Sequence, residues 1–239
     1  MNNPNYPSAQ TPEVSIIENK LLKSGCLPLD EMLGGGFEEG IVTQVFGEAG
    51  SGKTNLCLQL AVNCVKRGKR AIYVDTEAIS PERFRQIAGE NAKKIAQNII
   101  IYEPHSFEEQ YSAIREIEKI SAENIGLIIV DSATSYYRFG LEDQENSIRN
   151  RRELANQIGY LHSLARKRGI VVVITNQVYS DIQSGELKPI GGSTIGHMSK
   201  TIIEFKREDK NKRSAILRKH RSRPEGIGCE FSLTEEGIK

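Results

Sequence analysis

Residues 41–54 read Ile41-Val42-Thr43-Gln44-Val45-Phe46-Gly47-Glu48-Ala49-Gly50-Ser51-Gly52-Lys53-Thr54. The first six are apolar and rich in β-branched side chains, the composition of a buried strand. The last eight match the phosphate-loop pattern G-x-x-x-x-G-K-[ST]. The next segment, Asn55 to Arg67, carries Leu56, Leu60 and Cys64 on one helical face. Strand, glycine loop and helix therefore come in the order that phosphate binding requires. Glycines let the backbone curl so that its N–H groups point inward, and the helix N-terminus adds positive potential. Gly47, Glu48, Ala49, Gly50, Ser51, Gly52, Lys53 and Thr54 are thus the expected nucleotide cradle. Lys53 has the length to reach β- and γ-phosphates, and Thr54 the hydroxyl to ligate Mg²⁺.

Outward from this loop, apolar runs alternate with helical periodicity. Arg70–Asp75, Asn98–Tyr102, Gly126–Asp131 and Ile170–Thr175 read as strands. Ser80-Pro81 opens a helix, and Ser106 with Glu109 forms a capping box. Gln144 to Arg168 is a long helix with Leu154, Ile158, Leu161 and Ala165 on one face, ended by Gly169. The strands show no in/out alternation, so both sheet faces should be covered. The expected fold is α/β: a mostly parallel twisted sheet with helices on both faces and antiparallel C-terminal strands. Tyr179 to Lys188 reads as a polar loop, and a hairpin turn is expected near Asp209-Lys210-Asn211. Residues 1–20, rich in Asn and Pro, read as a flexible arm, and 21–239 as one domain.

At 239 residues and 38% hydrophobic, the chain can bury one sizeable core. No apolar run approaches a membrane span and no signal peptide is visible, so a cytoplasmic protein without a membrane partner is expected. Its four cysteines lack metal-ligand spacing. Lys206 to Arg223 holds nine Lys or Arg against Glu208 and Asp209 alone, a local +7 in a chain of net +1. Such a segment suits a polyanion, or is a solvated face of charged strands.

Four further positions carry chemistry. Asp131 ends a strand, where this architecture gathers ligands, and can hold Mg²⁺ opposite Thr54. Glu77 follows the second strand and can orient or deprotonate an attacking water; its position alone does not separate this from a solvated loop carboxylate. Gln177 follows the fourth strand, within reach of a γ-phosphate. Arg138, among the aromatics of Ser135–Gly140, and the Tyr179–Lys188 loop can meet DNA, although Tyr136 and Tyr137 can equally pack beneath the long helix.

Taken together, the phosphate loop, Tyr73-Val74-Asp75-Thr76-Glu77 with Pro81–Phe84, Leu127–Thr134, Thr175–Val178 and Pro189–His197 resemble the RecA-type recombinases of the archaeal and eukaryotic branch, from about Lys20 to the C-terminus. The resemblance implies a RecA-like ATPase core using ATP and Mg²⁺. It casts Glu77 as the catalytic carboxylate and Gln177 as the nucleotide sensor, which act in catalysis with the phosphate-loop Lys53. It places Arg83 on the adenine face. It sets DNA against the loops after Asp131 and Val178; the aromatic residues there favour single strands, and the +7 segment adds Lys219, Arg221 and Arg223 as basic contacts. Full recombinases of this branch carry an N-terminal helical domain and a linker Phe-x-x-Ala segment; here the only such match, Phe46 to Ala49, lies within the phosphate loop. The expected function is therefore an ATP- and DNA-binding accessory in recombination and repair, with weak ATP hydrolysis. Its expected partners are the main recombinase, other repair proteins and a second copy of itself. The alternatives are an ATP-binding scaffold that works through protein partners, and a KaiC-like ATPase.

Overall fold

The computed structural model describes residues 20–120, 124–137, 144–181, 185 and 187–239. The expected N-terminal arm lies outside the described residues, apart from Lys20. The phosphate-loop strand, β3 (Val42–Gly47), sits near the middle of a nine-stranded sheet. To one side lie β7 (Val171–Asn176), β6 (Ile125–Asp131), β4 (Arg70–Asp75) and the edge strand β5 (Ile99–Tyr102), all parallel. To the other, β10 (Thr201–Arg207) pairs parallel with β3. Beyond it β11 (Lys212–Lys219), β12 (Gly228–Thr234) and β13 (Gly237–Ile238) run antiparallel. A separate short ladder pairs β1 (Leu21–Leu22) with β2 (Phe37–Glu38).

Both faces of the central strands are covered, which is why their sequences read as unbroken apolar runs. Leu127 and Ile129 of β6 pack into one cluster, with Leu56 and Leu60 of α2 (Lys53–Lys66) and Leu29 of α1 (Leu27–Met32). Ile128 and Val130, the alternate residues, pack into the other. There they meet Ile114 of α5 (Phe107–Ile117) and Leu154, Ile158 and Leu161 of α6 (Gln144–Arg168). Cys57 and Cys64 are small core residues of α2. The remaining helices are α3 (Pro81–Ala88), α4 (Ala92–Ala96) and α7 (Gly192–Met198).

Local signals act as their chemistry dictates. The Ser80 hydroxyl accepts the Arg83 N–H at the start of α3, and the Ser106 hydroxyl accepts the Glu109 N–H at the start of α5. The return bond of the capping box lands one residue early: Glu109 accepts from the His105 N–H at 2.8 Å. Gly169, at φ 60°, ends α6. The Tyr179–Lys188 reading needs correction. Val178–Ser180 forms β8 and pairs antiparallel with Leu187–Pro189, β9. The polar composition concealed this hairpin because neither strand buries a full face.

Candidate nucleotide site

The carboxyl ends of β3, β4, β6 and β7 converge on one region, because parallel neighbours all point their ends the same way. The phosphate loop is built by close approach. A Cβ at Gly47 would collide with the Phe205 carbonyl of β10 and sit 2.9 Å from the Ser51 hydroxyl. Gly50 and Gly52 lie at φ 74° and 105°, the left-handed region that favours glycine. Their N–H groups have no acceptor in the described structure, and the buried Ser51 hydroxyl has no partner. This geometry suits an anion, as the sequence pattern does.

Lys53 is 7% exposed and donates to the carbonyls of Gly47 (2.8 Å) and Glu48 (3.0 Å). Burial lowers its pKa, while the nearby carboxylates of Glu77 and Asp131 oppose that shift. Asp131 is 1% exposed and accepts from Thr175 Oγ1 at 2.5 Å and Tyr73 Oη at 2.7 Å. Burial raises its pKa, the Thr175 and Tyr73 hydroxyls pull it back, the Glu77 charge raises it further and the Thr54 hydroxyl lowers it. A buried carboxylate held by three hydroxyls beside the loop suits a hard divalent cation, which prefers oxygen ligands. Thr54 and Asp131 therefore fit Mg²⁺.

Glu77 and Gln177 are 100 positions apart, yet Gln177 Nε2 donates to Glu77 Oε1 at 2.7 Å. The turn that carries Glu77 is set by Asp75, whose carboxylate accepts the N–H groups of Glu77 (3.1 Å) and Ile79 (2.6 Å). Arg83 projects from α3 toward the start of α2. Its Nε donates to Asn55 Oδ1 at 2.5 Å, and its other nitrogens to Gln86 and to the carbonyls of Thr234 and Glu235. These bonds use the edges of the guanidinium and leave its faces for stacking.

Residues that sequence reasoning missed come from β10 and β11. Arg213, 6% exposed, donates to the carbonyls of Gly50 (2.9 Å), Lys210 (2.8 Å) and Lys212 (2.7 Å), tying the phosphate loop to the antiparallel strands. Beside it, the Arg207 N–H donates to Glu48 Oε1 at 3.4 Å. Both belong to the basic segment, but composition could not say that the Arg213 guanidinium turns inward while Arg207 stays exposed and offers only its backbone N–H.

The expected DNA contacts are more dispersed. Arg138 lies outside the described residues. Tyr137 is 4% exposed and packs on Phe107 with ring centroids 6.1 Å apart, and the Tyr136 hydroxyl donates to the Pro104 carbonyl at 2.7 Å. Of the two readings for these tyrosines, packing is the one observed. Tyr179, on β8, is 49% exposed. Lys219 Nζ donates to the Gly196 carbonyl at 2.9 Å, Arg221 pairs with the buried Glu38, and the Arg223 guanidinium lies over Gly34. Arg218 pairs with the buried Glu204. The segment's charge toward solvent is accordingly smaller than its +7 suggests.

A RecA-like sheet with a phosphate loop, a strand-end Asp131 and a Glu77–Gln177 pair defines the RecA class of nucleotide-site architecture. A sequence model of the family "Rad51" matches residues 17–239, and the chain belongs to that family, on its RadB branch. It is 70% identical over 93% of its length to "DNA repair and recombination protein RadB" of Methanococcoides burtonii, covering 99% of that relative. It is 43% identical to the protein of the same description from Archaeoglobus fulgidus, over 93% of this chain and all of that one. A solved structure described as "Crystal structure of the RadB recombinase" superposes with a TM-score of 0.79 at 38% identity, covering 91% of this chain and 98% of that one. The KaiC-like alternative is set aside by this membership.

Proposed function

We propose that this chain binds ATP with Mg²⁺ and binds DNA, hydrolyses ATP slowly, and acts as an accessory to the main recombinase in homologous recombination and repair. The observation that carries the reading is the meeting of Glu77 and Gln177 beside Lys53 and Asp131. Lys53 and the loop N–H groups would hold the β- and γ-phosphates, with Thr54 and Asp131 on the cation and Arg83 on the adenine. Mg²⁺, when bound, would neutralise phosphate charge. Glu77 is then the carboxylate placed to take a proton from water. Gln177 links it to β8 and β9, so phosphate contacts and DNA contacts share one hydrogen-bonded path. On this reading residues 21–239 work as one unit.

On this reading the main recombinase would dock on the edge strand β5. β5 is an open sheet edge, with Ile101 51% exposed. Beside it lies a cavity of about 220 Å³ whose lining includes Leu58, Ala61, Tyr73, Ile79, Phe84 and Ile99. It has the size and apolarity to accept an aromatic side chain from a recombinase segment that adds a strand to the edge.

The test is phosphate release with and without single-stranded DNA, run beside fluorescent-nucleotide titration of wild type and Lys53→Ala. We expect low turnover raised by DNA, and at least a hundredfold loss of affinity in the variant, because a buried triphosphate loses its principal point charge. Unchanged affinity sinks the nucleotide site. Turnover indifferent to DNA, with binding intact, favours the scaffold alternative.

A further inference from the structure

The pole opposite the nucleotide site is basic. Two adjoining cavities of about 410 and 250 Å³ lie at the amino ends of the parallel strands, and Lys69 lines both. Lys66 and Lys94 line the first, Lys20 and Arg67 the second. Among the described residues, Glu39 is the one carboxylate lining the two cavities, and none of the five cations forms an ion pair. Helix ends account for part of this: Lys66 closes α2 and Lys94 lies in the last turn of α4, where a cation complements the macrodipole. They do not account for Lys69, which sits in the turn before β4. Its stem lies along Gly126, inside β6, where a Cβ would stand 2.9 Å from Lys69 Cβ and 3.2 Å from its Cδ. A glycine inside a strand marks close approach, here at the second residue of β6, of the Cys64 sulfur and of the lysine that lines both cavities.

From this geometry we infer that the groove formed by Lys20, Arg67, Lys69, Lys66 and Lys94 is a second DNA-binding site, specific for duplex. The inference rests on the reading of the chain as a DNA-binding protein and adds a site separate from its loops. Five cations without an ion pair, spread over two cavities that share Lys69, match successive backbone phosphates rather than one free anion; the Arg67 guanidinium also donates to the Leu21 carbonyl. Asn91 and Asn98 add amide groups suited to phosphate or sugar oxygens. Among the described residues no aromatic side chain lines either cavity, so unpaired bases would find no stacking platform there and single strands are disfavoured. Lys69 precedes β4, and Asp75 ends it beside Glu77. Six residues at ~3.3 Å place the two poles about 20 Å apart. The chain can therefore hold a single strand at one pole and a duplex at the other.

The experiment is fluorescence anisotropy with a 30-base-pair duplex and, separately, a 30-nucleotide single strand, across a salt series. It uses wild type, the Lys66→Glu, Lys69→Glu, Lys94→Glu triple variant, and the matching Gln triple, each checked by thermal melting. We expect the Glu triple to bind duplex at least tenfold more weakly at 0.1 M salt. The slope of log affinity against log salt should flatten by about 3, at ~0.9 per phosphate contact. The Gln triple, which removes charge without reversing it at the helix ends, should show the same direction of change with an unchanged fold. Single-strand and nucleotide binding should hold within twofold. Duplex affinity and slope equal to wild type in both triples overturn the proposal. So does polyglutamate competing as well as duplex, which would make the groove a site for acidic proteins. Loss of single-strand binding by wild type itself would instead overturn the broader DNA-binding reading.

Discussion

Asp131 ends β6 and Glu77 follows β4 on a turn, and their surroundings suit them to different work. Asp131 is sealed beneath Tyr73 and Thr175, whereas Glu77 is exposed on its turn. Burial raises the Asp131 pKa above the ordinary carboxylate value. Its contribution to stability is therefore present at acid pH and lost as pH rises through the folded-state value. Asp131→Asn should melt at or above wild type at neutral pH without nucleotide, with the gap closing as pH falls, while any Mg²⁺ dependence of ATP binding disappears. Calorimetry over pH tests the first half, and a variant melting well below wild type would show that the hydroxyl bonds outweigh the burial. Glu77→Gln should leave ATP affinity within a few-fold and reduce phosphate release by at least tenfold, since an amide cannot take the proton. Turnover at the wild-type rate would remove Glu77 from the chemistry.

At the scale of elements, the phosphate loop depends on strands that follow it by some 160 residues. Phe205 of β10 presses its carbonyl against Gly47, and Arg213 of β11 holds Gly50 from the other side. Arg213→Ala leaves three carbonyls without their charged donor, and should destabilise the protein by about 2–4 kcal/mol. Nucleotide affinity should fall as well, because the loop loses its outer tether. Urea unfolding and nucleotide titration read the two effects separately. A loss of stability with full affinity would mean that the loop holds its shape from glycine geometry alone.

For the whole molecule, the open β5 edge and its cavity lie beside the helix that starts at the phosphate loop, so a docked partner would sit close to the nucleotide. Ile101→Glu places a charge on the exposed edge and should abolish co-sedimentation with a full recombinase while sparing nucleotide and DNA binding. Capture at the wild-type level would move the partner surface elsewhere.

The extent to which the protein could be read from its sequence follows from the range of the forces involved. The phosphate loop, Asp131 at a strand end, the caps at Ser80 and Ser106 and the two-sided burial of the strands depend on near neighbours, and the sequence alone determined them. The β8–β9 hairpin escaped it because its short strands bury too little to show a pattern. The inward turn of Arg213 and the pairing of Arg218 and Arg221 with buried glutamates also escaped, because a basic run has the same composition whether its charges face water or carboxylates. Tertiary structure alone brought Gln177 onto Glu77, since strand order rather than sequence separation sets that distance. It also brought Lys69 and Lys94 to one pole, because the parallel strands β4 and β5 both start there, and set Lys20 near them through the Arg67 bond to the Leu21 carbonyl.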